Sequence, residues 1–225
     1  MKDTIRLLVE FGADANLMTL DGRSPLRVAL ERTYAHYEPA AGAGSATAGE
    51  REAERQSYEQ LVRLLAREGR AEMNACDHEH RTALYWAVLD AQAGAARLLL
   101  ELGASPEVPD AEGRTPLVIA CWQGSEPLVG ALLEFRADPN STDADRRSAL
   151  QICVWQGHLG CARLLLAAGA DVEHECNQGA TSLCIASQEG AIDMVSLLLD
   201  YNANIHHRDQ FGTLTFLVLS SCTSV

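Results

Sequence analysis

The chain of 225 residues is short of positive charge, because 18 Lys and Arg face 31 Asp and Glu, which gives a formal charge of −13. A surplus of negative charge opposes docking on the phosphates of nucleic acid or on anionic lipid. No apolar run approaches the roughly 20 residues that span a bilayer, and the residues after Met1 do not read as a secretory signal. We therefore expect no nucleic-acid partner, no membrane insertion and a cytoplasmic location.

Paired cysteines and reaction motifs are also missing. The seven cysteines are odd in number and form no Cys-x-x-Cys pair, which favours buried thiols in a reducing compartment over a disulfide framework. There is no phosphate-binding Gly loop with Lys and Ser or Thr, no His-Glu-x-x-His and no Gly-x-Ser-x-Gly. The sequence therefore predicts a protein that is not an enzyme and needs no cofactor.

Two groupings of Cys and His were weighed as reactive sites. Cys76 is followed by two histidines on one predicted turn, but a closed zinc site needs a second pair of ligands, so a solvated turn is favoured. Cys153 and Cys161 flank a turn near His158, yet both fall on predicted core faces, where a thiol packs as a small apolar group. We expect neither a metal site nor a catalytic residue.

The feature that organises the chain is an internal repeat of 33 residues, marked by Gly113, Arg146, Gly179 and Gly212. Each unit places a Thr or Ser before an apolar stretch, a Gly after it, and a Leu-rich stretch next. Thr or Ser followed by Pro can start a helix, and Gly can end one. A helix that is apolar on most sides must be covered by neighbouring units. The repeat predicts stacked pairs of short antiparallel helices with a projecting turn.

This grammar resembles the ankyrin-repeat family, whose Thr-Pro-Leu-His appears as Thr-Pro-Leu-Val at 115–118 and Ser-Ala-Leu-Gln at 148–151. The resemblance implies an all-α solenoid of stacked helix-turn-helix units with projecting β-hairpin-like turns. No unit keeps the family's His, so we expect the inter-repeat hydrogen bonds of that residue to be lost. Arg136 replaces the Gly after a second helix, at a cost of about 1 kcal/mol if its φ is positive.

The period divides the chain into seven segments. They are a partial repeat at 1–18, a repeat at 19–76 with a loop insertion at 33–57, repeats at 77–109, 110–142, 143–175 and 176–208, and a truncated or aberrant repeat at 209–225. Both ends are expected to belong to a longer array and to be frayed or sticky. The insertion is expected to be mobile, with 50–58 extending a helix; as an alternative, Tyr34 or Tyr37 serves binding or modification.

Two tryptophans one period apart mark a candidate binding surface. Trp122 and Trp155, followed by Gln123 and Gln156, occupy a position that lies on the family's usual concave binding face. Large aromatic side chains on such a face are frequent binding anchors, but each indole could instead fold back over its own helix as partial core. Both alternatives remain open at this point, whereas Trp86, three positions earlier in its unit, is expected to be buried.

A row of acid–base pairs follows the predicted turns. The pairs that the period aligns are Asp21/Arg23, Glu79/Arg81, Glu112/Arg114 and Asp145/Arg147. Because exposed ion pairs contribute only about 0–1 kcal/mol each to stability, the row serves partner selection or simple solvation. We take the last three pairs, with the two tryptophans and their glutamines, as candidate partner-binding residues.

These features predict a non-catalytic scaffold or adaptor, a monomer, that binds another protein of unknown identity. Strings within 148–158 and 176–190 resemble the last repeats of long intracellular members of the family, which implies a role in endosomal recycling of membrane cargo and a peripheral place on endosomes. Two alternatives are an accessory segment of a larger nucleotide-binding protein and a donor of the tail Thr223-Ser224-Val225 to a PDZ-type domain.

Overall fold

The fold is that of a computed structural model, and its described residues are 7, 10–34 and 48–210, without the side chains of 31–34, 48–55, 57 and 58. The chain divides into two compact units, Met1–Val108 and Pro109–Val225. Ten helices lie within the described part, where the β-structure is one isolated bridge between Thr142 and Ser148. The predicted all-α class is confirmed, and in the described part the projecting turns do not form β-hairpin strands.

The first unit contains four described helices, which pack as hairpins. They are α1 (Pro25–Tyr34), α2 (Ala48–Arg67), α3 (Ala83–Leu89) and α4 (Ala93–Glu101). Helix α1 packs against α2, α3 packs against α4, and α1 also contacts α3. Each hairpin is therefore one repeat, and the first helices of the two repeats lie side by side.

The second unit repeats this arrangement three times. Its helices are α5 (Pro116–Gln123), α6 (Glu126–Glu134), α7 (Ala149–Gln156), α8 (Leu159–Ala167), α9 (Ser182–Gln188) and α10 (Ile192–Asp200). The first helices α5, α7 and α9 form one row, and the second helices α6, α8 and α10 form another. Leu128, Leu165 and Leu198 of the second row are completely buried, at about 1.5–3 kcal/mol each.

Residues at the helix ends explain why the period produces helices. Thr115 accepts a hydrogen bond on Oγ1 from the N–H of Val118 (3.4 Å), and Pro116 opens α5. Gly124 ends α5 with φ 71° and Gly157 ends α7 with φ 75°. Left-handed residues of this kind favour Gly, so the predicted starts and stops are confirmed. Arg136 has φ 65°, as the missing Gly at this position predicts.

The expected loss of inter-repeat hydrogen bonding is wrong, because Gln151 takes over the role of the family's His. Its Nε2 donates to the carbonyls of His174 (3.0 Å) and Ala180 (2.7 Å), and its Oε1 accepts from the N–H of Ser148 (3.0 Å). The side chain is buried and all its hydrogen-bonding needs are met. A primary amide can replace imidazole here because it carries both a donor and an acceptor.

A second ladder of side chains joins successive repeats, and the sequence analysis did not identify it. Side-chain oxygens of one loop accept from backbone N–H groups of the next: Asn16 from Glu72 (2.6 Å), Asn74 from Ser105 (2.8 Å), Asn140 from Asp171 (2.7 Å) and Glu173 from Asn204 (2.7 Å). Loops that carry little apolar surface are thereby held in register.

The insertion at 33–57 is partly helical. Helix α1 runs to Tyr34 and α2 begins at Ala48, so the helical extension predicted for 50–58 is present and starts two residues earlier. Residues 35–47, which include Tyr37, lie outside the described residues, as does the side chain of Tyr34. The proposed tail motif, Thr223 to Val225, and most of the predicted frayed ends also lie outside them.

Candidate protein-binding face

The two periodic tryptophans lie on the surface of the second unit. Trp122 near the end of α5 is 52% exposed, and Trp155 near the end of α7 is 54% exposed. Gln123 and Gln156, which end the same helices, are exposed as well. Neither indole folds back as core, so the repeat presents two large aromatic surfaces to solvent.

Two shallow clefts adjoin these indoles. The first cleft, of about 350 Å³, is lined by Trp122, Trp155, Val118 and Ile152 among others. The second cleft, of about 420 Å³, is lined by Trp155, Ile152, Ile185 and Glu189 among others. Because Trp155 and Ile152 belong to both, the clefts are neighbours along the row of first helices.

Each charged turn of the second unit holds one guanidinium between two carboxylates. Arg114 Nη2 lies 2.7 Å from Asp110 Oδ2, and Nη1 lies 2.8 Å from Glu112 Oε2. Arg147 Nη2 lies 2.7 Å from Asp143 Oδ2 and 3.2 Å from Asp145 Oδ2. Both predicted pairs are present, and each turn has one negative charge in excess.

The buried carboxylates of Asp110 and Asp143 were not identified from the sequence as partners of these arginines. Each also accepts on Oδ1 from the backbone N–H of the Arg four residues later, at 2.9 Å. The pattern that could have found them is an Asp four residues before each Arg, repeated after 33 residues. These carboxylates fix the turns, while the outer carboxylates of Glu112 and Asp145 are 69% and 68% exposed.

The predicted site residues fall into three groups. Trp122, Trp155, Gln156, Arg114 and Arg147 line the first cleft. Asp145 lines the second cleft together with Arg147 and Trp155. Glu112 and Gln123 line neither, and Glu79 and Arg81 form their predicted ion pair in the first unit. Glu189 and Gln151, which line the second cleft, were not predicted as site residues.

The expected burial of Trp86 in the first unit is wrong, because its indole is only half-buried. The guanidinium of Arg27 lies over the ring, 3.8 Å from its centroid, and Nε1 donates to Asp77 Oδ2 at 2.8 Å. Arg27 itself pairs with Asp77 at 3.2 Å. The polar N–H and the cationic cover place this ring at the edge of the core rather than inside it.

Asp77 is the electrostatic centre of this cluster. Burial alone would raise the pKa of its carboxyl, but hydrogen bonds from the backbone N–H of Arg81, from Trp86 Nε1 and from the N–H of Glu79, with the charge of Arg27, lower that pKa. A carboxylate with this many donors stays ionised at neutral pH. Asp77 therefore ties Arg27 of one repeat to Trp86 of the next.

The thiols near His158 are set up for packing rather than for reaction. A contact with Cys121 and burial raise the pKa of the Cys153 thiol, and contact with Cys153 raises the pKa of Cys161. Protonated thiols are poor nucleophiles. His158 Nε2 lies 3.2 Å from the carbonyl oxygen of Trp122, where it joins two repeats.

Metal and membrane sites were also sought in the described residues. Over 7, 10–34 and 48–210, no three His, Cys, Asp or Glu side chains are grouped so as to hold a metal ion. In the same ranges, no helix combines the length and the apolar character needed to cross a bilayer.

A family model described as ankyrin repeats (3 copies) matches residues 52–143 and 124–209. Since these matches span more than half of the chain, the chain belongs to the ankyrin-repeat family. Ankyrin repeats are generally protein–protein interaction modules. No curated protein sequence matches the chain significantly.

Proposed function

We propose that the chain is a non-catalytic scaffold or adaptor that, as a monomer, binds one partner protein on the face of its second unit that carries Trp122 and Trp155. The observation that carries this proposal is the exposure of two indoles at one repeat position, beside clefts floored by apolar side chains. Indoles of this kind supply much of the binding energy of protein interfaces.

The surrounding polar residues suit the rim of such an interface. Gln123, Gln156, Glu112 and Asp145 are exposed and can form hydrogen bonds to a partner without a large desolvation cost. Arg114 and Arg147 are already held by carboxylates, so little side-chain entropy is lost when a partner docks. Glu79 and Arg81 of the first unit are proposed as additional partner contacts by the same periodic reasoning.

A finer role is proposed from the sequence resemblance. Residues 148–158 and 176–190 resemble the last repeats of ankyrin repeat domain-containing protein 50, and this resemblance implies protein transport by endosomal recycling of membrane cargo. The chain would then act from the cytoplasm as a peripheral protein on endosomes. Recycling and sorting proteins should be among those that the chain recovers from cytosol.

The test is affinity capture from cytosol with the full chain and with the double variant Trp122→Ala, Trp155→Ala. Hot-spot residues contribute about 2 kcal/mol or more each, so every partner of this face should be retained at least about thirtyfold more weakly. The matched control is Ile192→Ala, Tyr201→Ala, which removes two exposed apolar side chains outside both clefts. Equal recovery by both variants, with unchanged helical circular dichroism, would reject this face as the site.

A further inference from the structure

We infer that the segment bound on this face is a basic peptide in a polyproline II conformation, with an apolar side chain in the first cleft and an arginine in the second, three residues apart. This inference rests on the proposed function and assigns the chemistry of the partner. It follows from three observations: the charge of the second cleft, the apolar floor of the first, and the distance between them.

The second cleft offers a carboxylate that nothing in the described part of the chain neutralises. Glu189 directly follows α9, is exposed, and has no ion-pair or hydrogen-bond partner for its carboxylate among the described residues. Arg147 lines the same cleft, but its charge is balanced by Asp143 and Asp145. A cation entering the cleft therefore meets an unpaired negative charge beside the indole of Trp155.

The wider electrostatic field points the same way. Residues 109–225 contain six Arg and no Lys against fourteen Asp and Glu, a formal charge of −8. The charged turns at the first cleft each carry one excess carboxylate. Field complementarity of this size favours a positively charged partner and speeds its association.

The first unit shows how this protein holds a guanidinium. Arg27 lies over the indole of Trp86 at 3.8 Å from its centroid and pairs with Asp77 at 3.2 Å. Arginine suits such a place better than lysine because its planar, weakly hydrated head both stacks on an aromatic face and pairs with a carboxylate. Trp155 and Glu189 line the second cleft together and offer the same two components to an arginine of a partner.

The first cleft has a different lining. Val118, Ile119 and Ile152 form its floor and are buried, and the two arginines at its edge are already paired with carboxylates. No described residue places a cation over the ring of Trp122. Such a surface gains most from an apolar side chain that covers the indole and the isoleucines.

The repeat fixes the spacing between the two side chains. Packed neighbouring helices lie about 8–10 Å apart, and this is the step from one cleft to the next. A polyproline II peptide rises about 3.1 Å per residue with three residues per turn, so residues i and i+3 face the same side about 9 Å apart. In a β-strand, residues i and i+3 point to opposite faces.

The experiment uses the full chain and labelled peptides with Leu-Pro-Pro-Arg or Arg-Pro-Pro-Leu between Gly-Ser flanks, measured by fluorescence anisotropy at low salt. One of the two orders should bind at least about fivefold more tightly than the same peptide with Gln or Glu in place of Arg. Shortening the separation to two residues, or lengthening it to four, should cost a similar factor. Equal binding of the Arg and Gln peptides, tighter binding of the Glu peptide, or no binding of any peptide would overturn the inference.

The protein variant Glu189→Gln assigns the contact. It should weaken the Arg peptide about threefold to fivefold and leave the Gln peptide unchanged, whereas Glu68→Gln, the same change outside both clefts, should affect neither. An unchanged affinity of the Arg peptide for Glu189→Gln would refute the assignment. If capture from cytosol depends on the two tryptophans while these peptide results fail, the proposed function stands and the basic peptide is wrong. If capture does not depend on the tryptophans, the proposed function fails first.

Discussion

Replacing Asp77 by Asn should destabilise the first unit strongly, although the two side chains have nearly the same size. The carboxylate is 8% exposed and accepts from the N–H groups of Glu79 and Arg81 on Oδ1 and from Trp86 and Arg27 on Oδ2. An Asn can keep the two backbone bonds, but its NH2 group then faces two other donors.

The magnitude follows from the two lost interactions. A hydrogen bond to a charged group contributes about 1.5–3 kcal/mol, and a buried donor left without an acceptor adds to the loss. We expect Asp77→Asn to cost about 2–4 kcal/mol. Asp21→Asn is the control, because Asp21 forms a 3.3 Å pair with Arg23 in which both side chains are well exposed; it should cost less than about 1 kcal/mol.

The assay is urea unfolding followed by tryptophan fluorescence in a background with Trp122→Phe and Trp155→Phe, where Trp86 alone reports on the first unit. With m near 2 kcal/mol/M, the unfolding midpoint should fall by about 1–2 M for Asp77→Asn. A midpoint no lower than that of Asp21→Asn would refute the reasoning that places Asp77 at the centre of the cluster.

The pH dependence gives a second check on the same residue. The folded-state pKa of Asp77 is lowered, so its carboxylate contributes stability that is fully present above the unfolded value of about 3.9 and is lost as pH falls through the folded value. The difference in unfolding free energy between the native chain and Asp77→Asn should be constant between about pH 5 and 7 and shrink below about pH 4. A difference that does not change on acidification would contradict the lowered pKa.

Two further predictions concern the second unit. Gln151→Leu should cost about 2–4 kcal/mol in urea unfolding, because three backbone groups lose their partner, and Gln151→His should restore part of it; no difference between Leu and His would contradict this. Gly124→Ala should cost about 1–2 kcal/mol more than Gly157→Ala. Both have positive φ, but only at Gly124 would the new Cβ come within 2.5 Å of the His158 ring; equal losses would refute that contact.

The sequence was sufficient for the helical hairpins because the same local physics recurs at every repeat. Thr115 before Pro116, the glycines after the first helices and the leucines of the second helices each act within a few residues. A period of 33 residues multiplies these weak local preferences into a clear pattern.

The errors have a common physical cause, which is that the residues concerned act between repeats. Gln151 was treated as a lost His because the sequence shows its departure from the family pattern but not the two carbonyls that it reaches. Trp86 was expected in the core because its partners Arg27 and Asp77 lie 59 and 9 residues away along the chain. Such partners are visible only when neighbouring repeats are stacked.

The binding face is the least predictable part for a related reason. Packing dictates a residue such as Leu165 within the protein itself, whereas Trp122 and Glu189 make few contacts with the rest of the chain. What selects a residue at such a position is a molecule that the sequence does not contain. The useful evidence is then a group whose interactions are incomplete. On a surface where Arg114 and Arg147 each have two carboxylates, the unpaired carboxylate of Glu189 is the group that calls for a cation from outside.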